Sequence, residues 1–109
     1  MNDHRLIDER SVAFDRLIAA KVRADPALLA KARANLSRWR QTCDDRSAPD
    51  FLEWQRLLDG SPSELLATLE STDEDATRLR QSSPFCGILT PAERLAIIRE
   101  YYQRDAVAA

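Results

Sequence analysis

RLRQSSPFCGILTPAERLAIIRE, residues 78–100, holds the end of one helical pattern, the start of another, and between them a stretch that cannot be helical. Proline at 84 biases the residue before it away from helical geometry, and Gly87 admits a backbone angle that other residues resist. Gln81, Ser82 and Ser83 are suited to capping a helix end and opening a turn. Ile88 and Leu89 then pack down. Thr90-Pro91-Ala92-Glu93 restarts a helix, with proline at the first helical position, where a missing N–H costs nothing. The last helix is expected to place Leu95, Ile98 and Tyr102 on one face, with Ile97 and Tyr101 beside them.

The same punctuation recurs upstream. Apolar residues three and four apart predict a first helix over about 8–24, with Phe14, Leu17, Ile18 and Val22 as its buried stripe and Leu6 and Ile7 as a possible extension. Asp25-Pro26 ends that helix and caps the next, which runs to about Cys43. Leu29, Ala32, Leu36, Trp39 and Cys43 fall within roughly 80° of one another at 100° per residue and form its core face. After the polar tract TCDDRSAP, a short helix near 50–59 buries Phe51, Trp54, Leu57 and Leu58, and Gly60 suits its end. Ser61-Pro62-Ser63-Glu64 and Thr72-Asp73-Glu74-Asp75 look like capping boxes. The first opens a helix with Leu65, Leu66 and Leu69; the second opens one that carries Ala76 and Leu79 inward and runs to about Ser82.

These spacings predict an all-α chain, one compact domain of about six helices over residues 1–109, arranged as a bundle or an orthogonal array, with mobile ends at 1–7 and 105–109. A chain of 109 residues has room for one core. No run approaches the ~18 apolar residues of a membrane span, and MNDHRLIDERS is too charged for a signal peptide, so a cytoplasmic location is expected. Cys43 and Cys86 are then expected as free thiols.

The net charge of −2 hides a segregation. Lys21 to Arg40 carries six basic residues against Asp25, a net of +5; Asp44 to Asp75 carries ten acids against Arg46 and Arg56, a net of −8; Arg78 to Arg104 carries five arginines against two acids, a net of +3. A basic second helix suggests a phosphate-binding surface. Geometry argues against it, since Lys31 and Arg38 lie roughly 160–200° around the helix from Arg33 and Arg40. Residues 64–79 imitate helix-turn-helix spacing, but Asp73, Glu74 and Asp75 stand where DNA would approach. The acidic block fits better as a docking surface for a basic partner, such as an enzyme groove that handles nucleotides or RNA. Phe51, Trp54 and Phe85 are its candidate anchors, or else core.

No catalytic set emerges. His4 is the sole histidine and sits near the chain end. Cys86, Ser82 and Ser83 have no internal histidine to activate them. The carboxylates show no spacing diagnostic of metal or acid–base work. No cofactor or metal is implied.

Two segments, ERSVAFDRLIAAKVRADPALLAKARANLSRW and the quoted 78–100 stretch, resemble a group of small bacterial all-helical antitoxin-like proteins encoded beside a toxin gene. The similarity covers residues 9–40 and 78–100. Its most specific part is RQSSPFxGxLxxxER, matched by Arg80, Gln81, Ser82, Ser83, Pro84, Phe85, Gly87, Leu89, Glu93 and Arg94. The resemblance implies a non-catalytic protein that binds and neutralises a cognate toxin enzyme, nucleotidyltransferase-like or RNA-directed. It makes Arg78, Arg80, Gln81, Ser82, Pro84 and Phe85 the expected partner-binding surface, with Glu93 and Arg94 supporting or joining it. The middle, Thr42 to Thr77, lies outside the resemblance. The alternative function is a DNA-binding regulator of its own operon.

Overall fold

The computed structural model describes the backbone of residues 3–108 and the side chains of 9–103. Among the described residues six α-helices follow one another: α1 Asp3–Ala24, α2 Leu29–Thr42, α3 Ala48–Asp59, α4 Pro62–Glu70, α5 Glu74–Arg80 and α6 Pro91–Ala108, with a short 3-10 turn at Pro26–Leu28. No strand occurs among the described residues. α1 lies against α4 and α6, α2 against α3, and α3 against α4, which makes one all-α bundle. α1 begins at Asp3 rather than near residue 8, and the backbone is helical through 108. The expectation of mobile ends falls, for residues 1, 2 and 109, outside the described residues.

The helix starts are made in three different ways. Asp25 accepts the Ala27 N–H at 3.2 Å, as its sequence position predicts. Ser61 makes no side-chain cap; α4 starts on the fixed φ of Pro62 and on the Leu65 N–H donated to the Ser61 carbonyl at 3.2 Å. α5 is capped one residue later than expected, by Asp73, whose carboxylate accepts the Ala76 N–H at 2.8 Å. At α6 the box is complete: Thr90 N–H donates to Glu93 Oε1 at 2.7 Å and Glu93 N–H to Thr90 Oγ1 at 3.1 Å.

The core gathers Ile18, Val22, Leu36, Leu65, Leu69 and Leu79 around Trp54, with Phe85, Ile88 and Leu89 closing it from the turn after α5. The indole N–H of Trp54 donates to the Leu79 carbonyl at 3.0 Å, so the largest buried ring leaves no polar atom unpaired. Phe85 meets that ring edge-on at 5.7 Å between centroids. Phe51, Trp54, Leu57 and Leu58 are buried as the helical spacing predicts. Phe14, Leu17, Leu29, Trp39 and Cys43 pack partly buried at the edge of the same core.

α6 departs from expectation. Leu95 is 45 % and Tyr102 75 % exposed, so the face predicted to be core is largely open. The half-buried residues are Glu93, Ile97, Ile98 and Tyr101. Arg94 reaches back to lie 4.9 Å above the Phe14 ring. The physical reason is that α6 packs chiefly on the single helix α1, which covers only a narrow stripe of a cylinder.

Candidate functional site

The turn between α5 and α6 is built inward. Pro84 and Phe85 are buried, and so are Ile88 and Leu89. Four consecutive-region carbonyls accept hydrogen bonds from side chains of α1 and α2. Asn35 Nδ2 donates to the carbonyls of Pro84 at 2.9 Å and Cys86 at 3.0 Å. Lys31 Nζ donates to Gly87 O at 3.0 Å, and Lys21 Nζ to Ile88 O at 2.6 Å and to Glu93 Oε1 at 2.7 Å. Gly87 takes φ +85°, and a Cβ there would meet Lys31 Cε at 3.3 Å. Backbone carbonyls that leave regular structure need donors, and here helices supply them.

Asn35, Lys21 and Lys31 were not singled out as turn holders by sequence reasoning. One signal was available for Asn35: an amide on the apolar stripe of α2, between Ala32 and Leu36, sits at a poor helix-interior position unless it has a specific bond to make. Its own Oδ1 accepts from Arg38 at 2.8 Å. The basic residues of α2 are thus partly committed to holding structure: Arg33 pairs with Asp59 at 2.6 Å and also donates to the Leu58 carbonyl.

The eight predicted contact residues divide sharply. The Arg80 guanidinium is buried: Nε donates to Asp15 Oδ2 at 3.1 Å, Nη2 to the Ser71 carbonyl and Nη1 to Thr77 Oγ1 at 3.5 Å. Burial pushes the Asp15 carboxyl up to about 6 against the pull of Arg80. Arg78 is exposed and clamps α5 to α3 through Asp50 and through Glu53 at 2.8 Å. Ser82 is half-buried, its hydroxyl donating to Leu79 O at 3.3 Å. Gln81 and Arg94 are exposed, and Glu93 is engaged by Lys21 and by the Thr90 cap, which together hold its carboxyl below the usual range. Pro84, Phe85 and Arg80 therefore offer almost no side-chain area to a partner in this conformation; Arg78, Gln81 and Arg94 do.

A different surface is open. Between α3, α4 and α5 lies a groove of about 330 Å³. Its floor is apolar, from Leu57, Ala67, Ala76 and Leu79, and its rim carries Glu53, Glu64, Asp73 and Asp75 against Arg56. An adjoining depression, lined by Pro49, Leu52, Glu53 and Arg56, continues the surface across the outer side of α3. Leu52 is 52 % exposed there. The predicted anchors Phe51, Trp54 and Phe85 are core, and Leu52, which sequence reasoning passed over, is the apolar side chain this face presents.

α4 and α5 follow one another across 71–73, and Asp73, Glu74 and Asp75 stand exposed at the start of α5, where a phosphate backbone would meet three carboxylates. Cys43 and Cys86 are free thiols. Among the described residues no group of histidine, cysteine or acidic side chains could hold a metal ion, and no helix is long and apolar enough to cross a membrane. The side chain of His4 lies outside the described ones. No protein-family model, curated protein or solved structure matches the chain.

Proposed function

We propose that the protein acts by binding another protein, as an antitoxin that neutralises a cognate toxin enzyme of nucleotidyltransferase-like or RNA-directed type. The observation that carries this reading is the open acidic face of α3–α5, with an exposed leucine beside it. An enzyme that handles nucleotides or RNA presents a basic groove, and electrostatic complementarity of that kind speeds encounter and sets specificity, while apolar anchors add affinity. The resemblance of residues 9–40 and 78–100 to antitoxin-like proteins supports the same reading. In this account the 78–100 motif does its work by holding the turn, and the cytoplasm is where such a pair would meet.

The test is co-expression with the toxic enzyme encoded beside this chain's gene. Relief of growth arrest together with a stoichiometric complex on size exclusion is expected. Continued arrest with two separately eluting proteins would overturn the reading. The rival, a DNA-binding regulator of its own operon, predicts promoter binding that weakens steeply with salt; the carboxylates at the start of α5 oppose it.

A further inference from the structure

We propose that the groove between α3, α4 and α5 is the docking site for an arginine- or lysine-bearing segment of a partner protein, the cationic heads meeting the rim and the aliphatic stems lying on the floor. This deepens the protein-binding reading and rests on it. Leu57, Ala67, Ala76 and Leu79 give the groove an apolar base, and small alanines on α4 and α5 leave it open enough to receive a side chain. Long basic side chains suit such a place, because their methylene stems bury against apolar surface while the charge stays at the edge.

Charge then selects the occupant. Four carboxylates face one arginine around the groove. Arg78, beside the groove, pairs with two of the four, Glu53 at 2.8 Å and Asp75 at 3.8 Å, as well as with Asp50 of α3. Among the described residues Glu64 has no ion-pair partner, and Arg56 is held only by a 3.7 Å contact to Glu53. An acidic or neutral segment would leave Glu64 desolvated without a counter-charge, at a cost of specificity and affinity. Leu52, exposed beside the groove, offers a contact for an apolar residue flanking the basic ones.

The probe is a short amphipathic peptide with arginines and leucines on one face, titrated into the full chain at about physiological ionic strength (~0.15 M) and followed by amide NMR. Shifts confined to the neighbourhood of Leu57, Ala67, Ala76 and Leu79 are expected. The Glu64→Lys, Asp75→Lys double variant should weaken binding about tenfold or more, whereas Asp45→Lys, outside the groove, should change it less than about twofold. Leu52→Ala gives a second, uncharged reading, with a loss of about threefold or more. Shifts scattered over every acidic surface, or equal binding by the double variant, would overturn the proposal. The same double variant, carried into the co-expression assay, separates the two readings. If it still relieves growth arrest fully, the antitoxin reading stands and the groove falls. If the unaltered chain relieves nothing while the peptide maps to the groove, the docking site stands and the antitoxin reading falls.

Discussion

Arg80 of α5 and Asp15 of α1 form an ion pair inside the protein, Nε to Oδ2 3.1 Å, with only 8 % and 7 % of their side chains exposed. The guanidinium also reaches the Ser71 carbonyl, so one side chain ties α1, α5 and the α4–α5 connection together. Removing one member strands the other charge away from water. Arg80→Ala is therefore expected to destabilise the fold by about 3–5 kcal/mol, read from urea denaturation. Loss of partner binding in that variant would report unfolding, not a contact.

The same pair sets a pH signature. The folded carboxyl of Asp15 titrates near 6, above its unfolded value of 3.8, so the folded state holds more protons between those limits. Its contribution to stability is full below about 4 and is lost as pH rises through about 6. Glu93, Asp73, Glu70 and Asp59 act in the opposite sense: their lowered values give stability present above the ordinary carboxylate range and lost as pH falls below it. A thermal melting temperature that rises on acidification from pH 7 towards about 5 and falls below about 4 is expected. Asp15→Asn should flatten the upper part of that profile and leave the acid limb unchanged.

Asn35 offers its amide to two turn carbonyls, those of Pro84 and Cys86. Asn35→Ala leaves both acceptors without their donor and should cost about 2–3 kcal/mol. Amide hydrogen exchange would place the loss in residues 84–88, with little change in α4.

Gly87 sits at φ +85°, where a side chain is strained whatever the space around it. Gly87→Ala should destabilise by about 1–2 kcal/mol. The displaced neighbour is the flexible end of Lys31, so backbone strain, not packing, accounts for the effect. Chemical denaturation of Gly87→Ala in a Lys31→Ala background should show nearly the same loss.

Leu95 and Tyr102 lie on the open face of α6. Leu95→Ser is expected to change stability by less than about 0.5 kcal/mol, against about 2–5 kcal/mol for Leu69→Ala in the core. A large loss for Leu95→Ser in equilibrium unfolding would mean that this face is covered.

The sequence by itself determined six helices and most of their limits, because helix punctuation is local: Asp25-Pro26, Gly60, Pro84 and the Thr90–Glu93 box act on the backbone within a turn or two of themselves. It also determined the stripes of α2 and α3, since a 3.6-residue period is visible without knowing the partner. Tertiary structure alone decided how those faces were used. Leu95 and Tyr102 read as core because apolar spacing says which face a helix would bury, not whether a neighbour arrives to bury it. The resemblance places Arg80 on a partner-binding surface, whereas Asp15, 65 residues earlier in the chain, draws it into the interior as an ion pair that no local pattern announces. Lys21, Lys31 and Asn35 converge on the turn from 49 to 67 residues away, a meeting of donors and carbonyls that no local pattern encodes. The groove likewise exists only where α3, α4 and α5 stop short of filling the space between them.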